Sequence, residues 1–122
     1  MADGITVTHQ VTTVNGSMNF DTGGESFTAT QTNSRFSAGV QDIGTTHEQV
    51  VIGADIVAAG ISSFKNIDAT NYVEIGVVVS ATFYPLVKLL PGESYPIRLA
   101  TNTFYAKANT AAVKLQFVVN DA

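Results

Sequence analysis

The chain has 122 residues, 45% of them apolar and 13% charged, with a net charge of −4 and no cysteine. That length supports a continuous hydrophobic core, and that composition excludes a disordered tail. The missing cysteines exclude disulfide frameworks, thiolate metal sites and thiol nucleophiles. The low charge has two equal explanations: a surface covered by a partner, or a tightly packed β-protein rich in Thr and Val.

Charge is unevenly shared. Residues 1–60 carry six acids against Arg35 alone, whereas residues 61–122 carry five Lys or Arg against four acids. Nucleic-acid binding needs a dense basic patch, because phosphate neutralisation supplies most of the affinity; none is present, so no nucleic-acid partner is expected. No apolar run reaches the ~20 residues of a membrane-spanning helix, and the start, MADGITVTHQ, lacks a signal-peptide pattern. Synthesis in a cytoplasm, with no membrane partner, is the expectation.

Period-two alternation, the mark of a half-buried strand, runs through nearly every segment. Ile5, Val7, His9 and Val11 alternate with Thr6, Thr8, Gln10 and Thr12. Asn15-Gly16 suits a tight hairpin turn, and a short strand through Met18 and Phe20 ends at the turn Asp21-Thr22-Gly23-Gly24. Phe27 and Ala29 alternate with Ser26, Thr28 and Thr30; Phe36, Ala38 and Val40 alternate with Arg35, Ser37 and Gln41.

Glu48 to Gly60 reads as strand, turn and a loop crossing the sheet, since Val50, Val51 and Ile52 are β-branched. Ile61 to Ile67 leads into the polar turn Asp68-Ala69-Thr70-Asn71, after which Val73, Ile75, Val77 and Val79 form one inward face. Phe83 to Leu90 is apolar on both faces, with Phe83, Pro85, Val87 and Leu89 set against Tyr84, Leu86 and Leu90. Pro91-Gly92 fits a type II turn. Ile97 and Leu99 continue inward, Phe104, Ala106 and Ala108 return, and Val113, Leu115, Phe117 and Val119 face in while Lys114 and Gln116 face out. Eight to ten short strands without a helical period predict an all-β fold: a single-domain antiparallel β-sandwich over residues 1–122, jelly-roll-like.

Candidate chemistry is sparse. His9, between Val7 and Val11, reads as a core or interface histidine. His47 and Glu48 are neighbours whose side chains diverge on a strand, and no further ligand completes a metal site. Asp21, Gly23, Gly24 and Glu25 make only part of a calcium loop. No G-x-S-x-G elbow is present, and no carboxylate pair stands out among Asp68, Glu74 and Glu93. No catalytic residue, cofactor or metal is therefore expected. Tyr84, Tyr95 and Tyr105 read as facing away from the core, where tyrosine joins a large apolar face to a polar tip. The expected interface residues are His9, Phe83, Tyr84, Leu86, Tyr95 and Tyr105, with Phe83–Pro96 as the main patch; Pro85 and Pro96 imply edges or bulges.

The phrases FKNIDATNYVEIG (64–76), L-x-P-G-E (89–93) and YAKAN (105–109), preceded by H-E-x-x-x-x-G at 47–53, resemble those of small virion structural proteins of tailed bacteriophages. The match covers roughly residues 44–119; residues 1–43 carry no matching phrase. The resemblance implies a non-enzymatic structural protein, most simply a capsid cement or decoration protein. Such a protein binds as a homotrimer between capsomers, with itself and the major capsid protein as partners, on the head surface of the virion. The alternative it implies is a receptor- or carbohydrate-binding β-module of a tail or fibre.

Overall fold

A computed structural model describes residues 4–122, with twelve strands and no helix among them. The strands are β1 (Gly4–His9), β2 (Thr12–Asn15), β3 (Met18–Asp21), β4 (Glu25–Thr30), β5 (Phe36–Ile43), β6 (Glu48–Gln49), β7 (Ala59–Asn66), β8 (Val73–Val79), β9 (Thr82–Leu89), β10 (Ser94–Arg98), β11 (Tyr105–Ala108) and β12 (Val113–Asp121). The chain divides into two compact units, Met1–Thr32 and Asn33–Ala122. The sandwich expected over residues 1–122 is built entirely from strands of the second.

The first unit is a pair of two-stranded antiparallel ribbons. β1 pairs with β4 from Gly4↔Thr30 to His9↔Glu25, and β2 pairs with β3 from Thr12↔Asp21 to Asn15↔Met18. The inner hairpin turns at Gly16, whose φ of 59° needs no Cβ. Between the ribbons, Val11 and Thr22 exchange hydrogen bonds, and Asp21 accepts from the Gln10 side chain and the Gly23 N–H. The β1–β4 ribbon carries hydroxyls on one face (Thr6 beside Thr28, Thr8 beside Ser26) and Ile5, Val7, Phe27 and Ala29 on the other. Val7 alone is buried among the described residues of this unit.

The second unit holds eight strands in two four-stranded sheets, β10-β7-β12-β5 and β6-β11-β8-β9, every pair antiparallel. Only β8 and β9 are both consecutive and paired; every other connection crosses from one sheet to the other. That interleaving is a jelly roll. The alternation in the sequence supplies its core: Val113, Leu115, Phe117 and Val119 of β12 and Phe64 of β7 face Val73 and Ile75 of β8 and Ala106 and Ala108 of β11, all buried. Phe64 and Phe104 meet edge to face at 5.5 Å between centroids.

The β5/β6 side of the sandwich is stitched by polar side chains. Gln41 donates to the Glu48 carboxylate and the Gln49 carbonyl and accepts from the Val51 N–H, and Ser37 accepts from the Gly53 N–H. This reverses the expected sense of β5. The register sets Ser37, Gly39 and Gln41 opposite the core residues Val119, Phe117 and Leu115, and leaves Phe36 66% exposed, with Val40 also outside. The crossing chain at 48–53 runs as irregular backbone after β6, and it needs those donors and acceptors.

Three further clasps close the ends. Buried Asn66 donates to the Asn71 and Leu89 carbonyls and accepts from the Asp68 N–H, while its own backbone bonds Gly92 and Glu93. Buried Asp121 accepts from the Val57 and Ala58 N–H groups and pairs with Arg35 at 3.1 Å. Asn102 accepts from the Ala59 N–H and donates to the Ile56 and Val57 carbonyls.

Candidate functional site

Opposite the stitched side the sandwich is open. β9 and β10 end their respective sheets, and between them lies a cleft of about 670 Å³. Its walls include Leu86, Val87, Tyr95, Ile97, Leu99 and Phe104; among the described residues the charged ones beside it are Lys88 and Arg98, at positions that alternate with the core-side Val87, Leu89 and Ile97. Lys88 Nζ sits 4.0 Å from the centroid of the Tyr72 ring. The cleft forms because β9 and β10 leave the Leu90–Glu93 turn toward different sheets. That turn is of the expected type: Glu93 N–H donates to the Leu90 carbonyl, and Gly92 has φ 83°.

A β-bulge shapes the β9 wall. The register pairs Ile75 with Val87 and then Gly76 with Pro85, so Leu86 is the extra residue. Leu86 is 73% exposed. The bulge switches the parity of the strand. Val87 and Leu89 keep the core side, but Tyr84 falls opposite Val77 on that side and Phe83 opposite Val78 on the outer one. The expected arrangement, Phe83 in and Tyr84 out, is thus inverted over the first half of the strand. Only glycine fits at 76, because a Cβ there would collide with the Tyr84 carbonyl oxygen.

The six expected interface residues separate into groups. Leu86 and Tyr95 line the cleft. Tyr95 lies opposite Phe64 and Ile97 opposite Ser62, so Tyr95 is on the core-side face of β10 and not turned away from it; its shared parity with Ile97 already implied this. Phe83 and Tyr105 meet around His47 on the outer face: His47 stacks on Phe83 at 5.9 Å and meets Tyr105 edge-on at 6.2 Å. Tyr84 is exposed without a ring partner among these contacts. His9 ends β1 opposite Glu25 and is exposed, so it is not a core histidine.

A second apolar surface lies on the hairpin unit. Phe20 is 62% exposed, and Val11, Val14, Met18 and Phe27 are also outside. Residues 1–32 contain no Lys or Arg; the described acids there are Asp21 and Glu25. Hydrogen bonds from the Gln10 side chain and the Gly23 N–H hold the Asp21 carboxyl below its ordinary value. Among the described residues no group of three or more His, Cys, Asp or Glu side chains is placed to hold a metal ion.

Chemically, these surfaces offer apolar area and a simple charge pattern. The class they define is a jelly-roll β-domain joined to a β-hairpin unit, with uncovered apolar surface on both. Comparison with family models, with characterised proteins and with solved structures finds no match.

Proposed function

We propose that this is a non-enzymatic structural protein of a tailed-phage virion, a capsid cement or decoration protein that works as a homotrimer. It would sit on the head surface, bind the major capsid protein between capsomers, and stabilise the head by adding buried area across their junctions. The observation that carries this reading is the hairpin unit: it exposes Phe20, Met18, Val14 and Phe27 and buries Val7 alone among its described residues. A two-stranded ribbon is marginal by itself in water, so such a unit gains its stability by lying on another surface.

The phage-like phrases support the same reading in a particular way. FKNIDATNY and L-x-P-G-E meet at the Asn66 clasp; His47-Glu48 and YAKAN bracket β6 and β11, where Glu48 accepts from the Gly44 N–H and Ala108 donates to the Gly44 carbonyl. These residues close turns of the jelly roll, so the resemblance is one of architecture.

A receptor- or carbohydrate-binding module of a tail or fibre is the competing reading. Sugar recognition sets planar polar side chains beside an aromatic ring, whereas the cleft beside Tyr95 is walled by Leu86, Val87, Ile97 and Leu99. The deciding experiment is a whole-particle reconstruction with copy counting. The expected result is many copies spread over the shell, and particles lacking the protein that lose heat resistance but adsorb normally. A few copies at the tail tip, with altered host range on removal, would overturn the reading.

A further inference from the structure

We propose that the free edge of β5 pairs with the β5 of a second copy, antiparallel, across a two-fold axis at Gly39. The contact goes beyond the virion reading and does not rest on it.

Backbone direction decides which groups of β5 are free. In β12 the Asp121 N–H donates to the Arg35 carbonyl, whereas the Lys114 carbonyl accepts from the Ile67 N–H that follows β7. Odd-numbered residues of β12 therefore turn their backbone toward β5, and their register partners Ser37, Gly39, Gln41 and Ile43 turn theirs toward β12. Phe36, Ala38, Val40 and Asp42 direct theirs the other way, and β5 ends its sheet. These residues are exposed, and among the described residues no backbone partner reaches their outward groups. The crossing chain at 48–53 bonds the Ser37 and Gln41 side chains and leaves that row open. The row stops at Asp42, because Gly44 is taken by the Ala108 N–H and the Glu48 carboxylate.

The other edges of the sandwich are blunted. β9 has Pro85 and the bulge at Leu86, β10 is five residues with Pro96 among them, and β6 is two residues long. Sheets protect their edges in these ways. β5 has eight residues, no proline and no bulge, the form of a strand that is paired.

A second β5 is the occupant because the row is complementary to itself. It runs from Phe36 to Asp42 with Gly39 at its midpoint. Antiparallel pairing there sets Phe36 opposite Asp42 and Ala38 opposite Val40 of the second copy, so every outward group on both strands is bonded. The axis passes between two glycines, where no side chains collide, and Ala38 and Val40 of both copies form one apolar stripe. The two Asp42 carboxylates lie at opposite ends, roughly 20 Å apart, each beside its own Lys114. Strands of the hairpin unit have six residues or fewer and would leave part of the row unpaired. The contact is isologous, so it joins copies in pairs and leaves the three-fold contact of the proposed trimer to other surfaces.

The chain has no cysteine, so single-cysteine variants read the register. Ala38→Cys and Val40→Cys, both on the exposed face, are mixed and oxidised. Facing positions stand about 5.5 Å apart between Cα atoms, within the span of a disulfide, whereas like positions are two residues out of step and beyond it. The mixture should give at least about tenfold more disulfide dimer than either variant alone; no dimer, or equal yields, would overturn the pairing. Val40→Pro removes an outward N–H and no bond to β12. It should melt within about 3 °C of the parent in dilute solution, and weaken self-association at least about tenfold in sedimentation, since the axis places the change in the contact twice; unchanged association would refute the pairing. Slow hydrogen exchange at Ala38 and Val40 in a dilute monomer would assign the edge to the chain's own hairpin unit and overturn it too. Each of these failures leaves the virion role standing, and a shell without this protein would overturn that role while leaving the pairing intact.

Discussion

The β8–β9 hairpin turns through Ser80 and Ala81 with φ of 50° and 66°, although neither is glycine. Val79↔Thr82 closes the ladder around them, so this is a two-residue turn with both central residues in left-handed conformation, where Asn-Gly is favoured. A Cβ in that region costs about 1 kcal/mol per residue. Asn tolerates it and Gly escapes it, but Gly returns about 0.4–1 kcal/mol through the unfolded chain. The double variant Ser80→Asn/Ala81→Gly should therefore be more stable by about 1 kcal/mol, a rise in Tm of about 3–5 °C for a chain of this size. Gly92→Ala provides the opposite sign. Its φ is 83° and a Cβ there would touch nothing within 4 Å, so any loss is conformational; it should lower stability by about 1 kcal/mol. Urea unfolding followed by circular dichroism measures both, with unchanged m-values as the condition for comparison. A double variant no more stable than the parent, at equal m, would refute the strain assigned to this turn.

Gly76→Ala should destabilise by about 3 kcal/mol, because the added Cβ meets the Tyr84 carbonyl and Pro85 Cα of the bulge, which are backbone and cannot rotate away; differential scanning calorimetry checks it. Leu115→Ala removes a fully buried side chain and should cost about 2–5 kcal/mol, whereas Met18→Ser with Phe20→Ser, both exposed, should leave the calorimetric melting of Asn33–Ala122 unchanged. Acid unfolding should begin as pH falls below 3.8. Asp121 (through the Ala58 N–H, then Arg35), Asp68 (through the Asn71 and Thr70 N–H groups) and Asp21 are all held below that value when folded. The unfolded chain binds more protons there, so their contribution is complete above 3.8 and is lost on descending through the folded values. Asp121→Asn should flatten that acid branch in a pH series of melting curves; an unchanged slope would remove Asp121 from the account.

Much of the jelly roll was legible because its central strands obey simple alternation. β12 and β8 sit between neighbours on both sides, so their inward positions are fixed by the pleat, and Val113 to Val119 and Val73 with Ile75 fell where the pattern put them. Asn15-Gly16 and Pro91-Gly92 marked turns because positive φ favours a glycine, here Gly16 and Gly92. Edge strands were harder. In β5 the core-side positions went to Ser37 and Gln41, which a crossing loop requires as hydrogen-bond partners, and a binary pattern cannot express that need. In β9 one extra residue reversed the faces of Phe83 and Tyr84. The signal was Pro85 in an apolar strand, which implied a bulge without saying on which side of it the parity would change. The hairpin unit alternates as regularly as the core strands do, yet Val7 alone of its described apolar side chains is buried. Alternation reports a face that needs covering, not what covers it.

The two sides of the sandwich carry the functional argument further than any single residue. Where β5 meets β6, polar side chains bridge the sheets and complete the fold within one chain. Where β9 meets β10, the core-side walls are apolar, and β9 carries a bulge that leaves Leu86 73% exposed at the cleft. A domain under selection only to fold would gain by narrowing such a cleft, since a fully exposed Leu forgoes roughly 1.5–3 kcal/mol of burial. The trimeric self-assembly proposed above would bury that wall. The segments 64–76 and 89–93 meet at the Asn66 clasp, and residues 1–32 lie outside the sandwich those segments help to close.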